Sequence, residues 1–305
     1  MEIKTFILSE QEMGQRIDKV MESKIDEFSR NYIQKLIKEE HILINGKAIK
    51  VNYRCAANDL VELKIPDTID LACEAENIPL DIIYEDEDLI IINKPKGMVV
   101  HPAPGHYSGT MVNGLLFYCK ESLSGINGVL RPGIVHRIDK ETTGSVMVCK
   151  NDVSHKDIAK QLKEHTIVRK YRAIVHGAFK ETEGIIDKPI GRHTTDRKKM
   201  SIHSKKFKSA ITHYKVLEIF PGYSYIECEL ETGRTHQIRV HMASIGHPLL
   251  GDEVYGIKEK KKFDTNGQVL HAMTLGFIHP RTKEYIETTA PLPQYFEDIL
   301  KNLRN

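Results

Sequence analysis

Three polar segments of the 305-residue chain carry residue types that could do chemistry. The densest is Arg131-Pro-Gly-Ile-Val-His-Arg-Ile-Asp-Lys-Glu-Thr-Thr-Gly, residues 131–144. Side chains of extended backbone alternate in direction, so with His136 to Asp139 extended, Arg137 and Asp139 enter one cleft while His136 and Ile138 take the other side. A cation and a carboxylate so placed are either a working pair or a structural pair that fixes a turn, and spacing leaves both open. The second segment, Gly233-Arg-Thr-His-Gln-Ile-Arg-Val-His, starts a helix whose first turns present His236 and Arg239 together. Arg239 can reach a carboxylate elsewhere, and a buried arginine keeps such a partner ionised. The third, Arg169-Lys-Tyr-Arg-Ala-Ile-Val-His-Gly, sets Tyr171 on a strand among basic residues, as a packed core tyrosine or as a platform for a base.

Other chemistries lack their residues. Among fifteen histidines, His236 and His241 are five apart, which does not align two ligands on one helical face, and no carboxylate completes a set, so no metal is expected. Neither G-x-G-x-x-G nor G-x-x-x-x-G-K-[ST] occurs, nor the G-x-S-x-G of a nucleophile elbow, so no dinucleotide or nucleoside-triphosphate cradle is indicated. Cys55, Cys73, Cys119, Cys149 and Cys228 contain no C-x-x-C pair and read as buried or incidental thiols. No cofactor is expected.

The elements that must position these residues read as two domains. Gly14 to Phe28 spaces Ile17, Val20, Met21 and Ile25 helically, and Ser29 offers an N-cap to a second helix with Ile33, Leu36 and Ile37 inward. His41 to Ile44 leads into an Asn45-Gly46 hairpin turn, and Asp59 to Ile65 alternates as a strand. The acidic, proline-bounded stretch from Pro66 to Pro79 reads as a linker, with the boundary placed near Glu74: a small domain over 1–74 and a larger one over 75–305. In the larger part, Ile82 to Tyr84, Leu89 to Asn93, Ser145 to Cys149, Lys170 to His176, Ile211 to Phe220 and Tyr223 to Glu231 read as strands. Helices are expected at Gly109 to Cys119, Asp152 to Glu164, His236 to Ile245 behind an N-cap Thr235, and Pro293 to Leu303. Hairpin-like strands with a few helices predict an α+β protein with a mixed, mainly antiparallel sheet flanked by helices.

Charge is distributed unevenly. The formal total is +2, but residues 1–74 hold eleven Lys and Arg against fourteen Asp and Glu, so the larger domain is net basic. Within the acidic small domain Arg16, Arg30, Lys35, Lys38 and Lys47 gather around the second helix and the hairpin, as a phosphate-facing patch or as solvated helix faces. Arg192 to Lys208 and Lys258 to Lys262 are further basic clusters able to grip a polyanion. No apolar run approaches the ~20 residues of a membrane span and the N-terminus lacks a targeting pattern, so a cytoplasmic protein is expected.

The combination resembles the RluA-type pseudouridine synthases, most closely those acting on large-subunit ribosomal RNA. The resemblance runs over nearly the whole chain: Asn93-Lys-Pro-Lys-Gly-Met-Val-Val-His-Pro, Gly109-Thr-Met-Val-Asn-Gly-Leu-Leu, His136-Arg-Ile-Asp-Lys-Glu-Thr-Thr-Gly, Arg169-Lys-Tyr-Arg-Ala, Leu230-Glu-Thr-Gly-Arg-Thr-His-Gln-Ile-Arg-Val-His and Leu270-His-Ala. Residues 1–74 similarly resemble the S-four-like RNA-binding domain through Arg16-Ile-Asp, Ser29-Arg and Ile44-Asn-Gly. Ile138 and Thr143 stand where the family more often has Leu and Ser, both mild departures.

The resemblance implies an isomerase that converts uridine to pseudouridine in large-subunit ribosomal RNA or its precursor particles, as a monomer and without a cofactor. Asp139 then matches the catalytic aspartate, Tyr171 the tyrosine against the uracil, and Arg239 the partner of the aspartate. Arg137 matches the residue filling the space of the flipped base, and His136, Arg234, His236 and Gln237 fall among the substrate-binding positions. Arg16, Arg30, Lys35, Lys38 and Lys47 are the expected RNA contacts of the small domain. A non-catalytic RNA-binding protein on the same fold is the competing reading, against which the intact Asp139, Tyr171 and Arg239 argue.

Overall fold

The computed structural model describes residues 2–25, 30–65, 73–102, 106–120, 122–126, 131–196, 199–204, 206–257 and 263–305. Contacts divide the chain into two units, Met1–Ala72 and Cys73–Asn305.

The first unit runs β1 (Glu2–Ile7), α1 (Ile17–Lys24), α2 (Arg30–Lys38), β2 (Ile42–Ile44), β3 (Lys47–Ala48) and β4 (Leu60–Ile65), with sheet order β1-β4-β2-β3. Asn45 and Gly46 connect β2 to β3 with φ of 51° and 72°, the doubly positive geometry that matches strand twist in a two-residue hairpin. The helical apolar spacing is cashed in as one core: Ile17, Val20 and Met21 of α1 and Ile33, Leu36 and Ile37 of α2 pack on Ile42, Ile44, Val61 and Leu63. The expected cap Ser29 lies outside the described residues.

The second unit is built on a nine-stranded sheet. Its elements are β5 (Ile82–Glu85), β6 (Leu89–Lys94), α3 (Met111–Cys119), β7 (Thr143–Cys149), α4 (Asp152–Lys163), β8 (Val168–His176), β9 (Glu183–Asp187), β10 (Ile190–Arg192), β11 (Met200–Ser201) and β12 (Phe207–Lys208). They continue with β13 (Ile211–Phe220), β14 (Tyr223–Leu230), α5 (Gln237–Ser244), β15 (Leu270–Ile278), β16 (Tyr285–Thr289) and α6 (Gln294–Arg304). The order is β5-β6-β7-β15-β8-β14-β13-β9, with β16 on β15, while β10, β11 and β12 form a small separate sheet. Among the described pairings only β7 with β15 is parallel, so the expected mixed, mainly antiparallel sheet is the one found.

Residue parity assigns the two faces. Ile90, Ile92, Val146, Val148, Tyr171, Ala173, Ile226 and Cys228 face α3 and α5, whose Met111, Leu115, Ile238 and Met242 cover them. The opposite parity of β6, β7 and β15 meets Ile158 of α4, and Ile174 of β8 meets Phe296 and Ile299 of α6. The second half of the supposed linker is no free chain: Asn113 Nδ2 donates to Glu74 O at 2.8 Å, and Cys73 is buried in the core under α3. Residues 66–72 lie outside the described set. The Thr235 cap also moves: α5 starts at Gln237, capped by His236 in left-handed backbone with φ 57° and ψ 21°.

β15 is the central strand, and it meets β7 at a tight point. Gly144 has φ +104°, and an added Cβ would come within 2.2 Å of the Ala272 carbonyl oxygen of β15. Gly144→Ala combines a disfavoured backbone with a backbone collision, so it should destabilise the protein by roughly 3 kcal/mol or more. Urea unfolding measures this, and a loss below about 0.5 kcal/mol, the scale of an ordinary surface substitution, would sink it.

Candidate active site

Asp139 sits on a loop that is held from both sides. Upstream, Cys149 N donates to Gly133 O at 2.9 Å, and His136 Nε2 accepts from Met147 N of β7 at 2.9 Å. Downstream, the Lys140 carbonyl accepts from Lys94 Nζ at 2.9 Å and from Gly97 N at 3.0 Å. Ile138 anchors in the core between them, while Arg137 and Asp139 line the pocket, the alternation expected of extended backbone. Lys94 is completely buried and also donates to the carbonyls of Pro95 and Met98. Burial pushes its ammonium down to about 7, against the pull of Glu141 and Asp139.

Across the pocket one arginine joins two carboxylates. Arg239 donates through Nε and Nη2 to Asp252 at 2.7 and 2.9 Å, and through Nη1 to Asp139 Oδ2 at 2.9 Å. The Asp252 side chain is fully buried and its Oδ1 also accepts the backbone N–H groups of Val254 and Tyr255. Burial alone would raise the Asp252 carboxyl; the hydrogen bonds and charge of Arg239 hold it below its ordinary value instead. Arg239 is raised in turn, the two carboxylates outweighing its own desolvation. Asp139 is the outer member, with about a fifth of its side chain exposed, and among the described residues no donor engages its Oδ1.

Tyr171 forms the facing wall. On β8 it lies between Cys228 of β14 and Ala272 of β15, two small neighbours that leave its ring free to line the pocket. Burial raises its phenol, which stays protonated. The pocket they enclose is small, about 50 Å³, and is completed by Arg137, Thr142, Leu230, Arg234, His236 and Arg239. Arg137 Nη1 lies 3.5 Å from Nε2 of the buried His101, whose imidazole burial and two nearby arginines hold down at about 4, so it faces Arg137 as a neutral acceptor.

The left-handed turn at His236 aims its ring at the pocket. Nδ1 lies 2.8 Å from the Tyr255 hydroxyl, which also accepts from Met200 N, and Nε2 lies 3.8 Å from Asp139 Oδ2. Burial lowers the imidazole, with Asp139 opposing. Gln237 lines the pocket but is a brace: its Oε1 accepts from Thr232 Oγ1 and Arg234 N, and its Nε2 donates to Ile211 O and Thr212 Oγ1. His136 likewise commits Nε2 to β7 and lines the adjoining cleft. Arg234 is fixed through Nε to Ser209 O at 2.9 Å.

In the first unit Arg16 and Arg30 converge on the buried carboxylate of Asp18, at 2.9 and 3.0 Å, with Gln34 as a third donor. Lys38 and Lys47 are exposed, and the Lys35 side chain lies outside the described residues, as do Arg197, Lys198, Lys205 and residues 258–262 of the basic clusters. Sequence reasoning missed Asp252 and Tyr255, which no local pattern links to Arg239, and assigned no role to Lys94 or His101. Lys94 had a signal, a lysine on the same strand two residues beyond the apolar run Leu89-Ile-Ile-Ile. Among the described residues Asp86, Asp88 and His279 form the one cluster with metal-ligand spacing. Arg281 and Asn151 hold Asp88 while Tyr84 and His279 hold Asp86, so it reads as a satisfied knot of hydrogen bonds.

Residues 88–244 match the model of the RNA pseudouridylate synthase family, and residues 15–61 match the S4 domain. An uncharacterized RNA pseudouridine synthase of Bacillus subtilis is 51% identical over 97% of this chain and 96% of its own length. The ribosomal large subunit pseudouridine synthase D of Zymomonas mobilis is 43% identical over 97% of this chain and 96% of its own. Among solved structures, human RNA pseudouridylate synthase domain containing 4 is similar with a TM-score of 0.59 and 25% identity, over 73% of this chain and 93% of that one.

Two outcomes follow from the electrostatics. Asp252→Asn removes the buried half of the arginine's compensation and should cost about 3–5 kcal/mol of stability, whereas Asp139→Asn at the half-open end should cost less than about 1 kcal/mol. Thermal and urea unfolding would detect equal losses, the result that contradicts this division. Burial holds His101, His136 and His271 at about 4, below the ordinary 6.5 of an unfolded chain. The unfolded state therefore takes up protons first, and their stability contribution, intact above pH 6.5, is lost as pH falls toward 4. A melting temperature that stays flat through that window would contradict this.

Proposed function

The chain belongs to the RNA pseudouridylate synthase family, and from that premise we propose that it modifies large-subunit ribosomal RNA with Asp139 as its catalytic carboxylate. It is an isomerase acting on RNA: the N1–C1′ bond of a uridine breaks, the uracil turns, and C5 bonds to C1′. The C5 proton leaves and N1 gains one, so atoms and redox state balance without a co-substrate. The observation that carries the assignment is the position of Asp139, an ionisable group at the open end of a triad whose other two members, Arg239 and Asp252, are sunk in the core.

The target atoms lie inside a stacked strand, so the uridine must be extruded into the pocket. Tyr171 offers the uracil an aromatic face. Arg137, exposed on the extended segment that carries Asp139, fills the space that the uridine leaves. Arg234 and His236 contact the nucleotide from the α5 side, while His136 and Gln237 act by holding the loops that carry Asp139 and Arg234. Arg239 orients Asp139 toward the reacting bond. In the first unit Arg16 and Arg30, held by Asp18, with Lys35, Lys38 and Lys47, grip RNA phosphates. Relatives named as ribosomal large subunit pseudouridine synthase D support the choice of RNA. We take the working form as a cytoplasmic monomer acting on that RNA or its precursor particles.

Asp139→Ala tests the reading. In cells carrying only the variant, the pseudouridines that depend on the protein should disappear from large-subunit ribosomal RNA. The purified variant should lose on the order of a thousandfold or more in turnover while still binding RNA. Undiminished pseudouridine would remove Asp139 from the chemistry; losses confined to another RNA would keep the chemistry and change the substrate.

A further inference from the structure

Among the described residues Arg169 is a buried cation with no anion. It is 6% exposed, the same as Arg239, yet where Arg239 has two carboxylates, Arg169 donates only through Nη2, to the carbonyl oxygens of Leu230 at 3.3 Å and Glu231 at 2.7 Å. Among the described residues its buried Nε has no partner and no carboxylate pairs with it. Burial lowers its pKa, and Arg234 adds to that as a second cation. Folded proteins seldom leave a buried charge uncompensated, because doing so costs several kcal/mol per ion.

The space beside it is built for a ligand. Arg169 shares a face of β8 with Tyr171 and lines a cavity of about 490 Å³ that also takes in Asp139, Tyr171 and His236, so it opens from the uridine pocket. Lys163, at the end of α4, and His165 and Arg234 bring further basic side chains, while Leu162 and Leu230 give apolar walls. Gly233 allows the guanidinium its place, since an added Cβ there would lie 2.7 Å from Arg169 Nη1. The volume is that of a small-ligand site, roughly 300–1,000 Å³, and suits one nucleotide.

We propose that this cavity is a phosphodiester site, in which Arg169, with Lys163 and Arg234 at its rim, binds the phosphate of a nucleotide adjacent to the flipped uridine. The substrate supplies the counter-charge that the protein lacks. The two carbonyls that Arg169 holds belong to the start of the loop bearing Arg234 and His236, so binding there orders the strand next to Tyr171. The inference rests on the isomerase reading of the neighbouring pocket.

The test uses the full chain and an RNA stem-loop that it modifies, with single neutral methylphosphonate linkages placed on either side of the target uridine. One charge-assisted contact is worth about tenfold or more in binding. Arg169→Met should therefore raise KM about tenfold and leave kcat unchanged, and one methylphosphonate position should do the same to the unaltered protein. Combining the two should produce no further loss. In Arg169→Met the loss of the two carbonyl contacts and the removal of a buried unpaired charge offset each other, so the melting temperature should stay about level; a structural brace alone would lower it. Lys163→Glu, on the exposed rim, should raise KM and lose that effect with the same linkage. An unchanged KM, effects of variant and linkage that multiply, or a lowered melting temperature with a Lys163→Glu protein of normal KM overturns the site. An unaltered protein that makes no pseudouridine in any RNA would instead overturn the proposed function.

Discussion

The site depends on a single guanidinium shared unequally between two carboxylates. Arg239 gives two of its hydrogen bonds to Asp252, inside the core, and one to Asp139, at the edge of the pocket. Burying an arginine without an anion costs several kcal/mol, and at Arg239 the compensation comes from Asp252, braced by two backbone N–H groups. With the inner pair neutral in sum, the charge of Asp139 is left over at the surface where a substrate can meet it. Its position is then rigid, because the partner that orients it cannot move without breaking the inner pair. The three residues come from separate segments, the loop before β7, the helix α5 and the turn after it, so the arrangement exists only once the sheet has brought those segments together.

That origin explains which features the sequence discloses. Strand β14 reads cleanly, with Ile226, Cys228 and Leu230 inward and Tyr225, Glu227 and Glu229 outward, because one face of it is buried and the other only half-buried. β15 gives no such signal: in Leu-His-Ala-Met-Thr-Leu-Gly-Phe-Ile it is covered on both faces, and its neighbours β7 and β8 are distant in sequence. Arg137 and Asp139 sharing a side follows from local geometry alone. Asp252 does not, since its tie to Arg239 is a tertiary contact across thirteen residues of chain with no periodicity. The misplaced cap of α5 has the same character, because nothing in the residue type of His236 announces a left-handed backbone, which for a residue other than glycine is kept where the surroundings enforce it.

The histidines show how a titratable group becomes plain scaffolding. His136 accepts a backbone N–H from β7, His241 sits between Thr212 and the Lys188 carbonyl, and His271 lies between Thr143 and the Ala290 carbonyl. Each neutral ring offers one donor and one acceptor, which suits a buried position between one group of each kind. Desolvation keeps them uncharged, so they add directional bonds near the pocket without adding cations that would compete with Arg239 for Asp139. Lys94 takes the same burial with another outcome: three carbonyls surround its ammonium, and one of them, on Lys140, is the residue next to Asp139.

Charge placement in the catalytic unit therefore follows two rules. Where a charge must orient, as at Arg239, Asp252 closes the balance within the protein, and the result contributes to stability. Where a charge must attract, as at Arg169, the balance is left open and the fold carries the cost. The same contrast separates Asp18 from the arginines around it: its carboxylate is fully buried while Arg16 and Arg30 remain about one third exposed, so the anion is internal and the guanidinium edges keep access to solvent. Two arginines against one aspartate leave that cluster a net cation on a unit whose total charge is negative. A near-neutral total thus says little about affinity for a polyanion, because what a phosphate meets is the local remainder after buried pairs have cancelled.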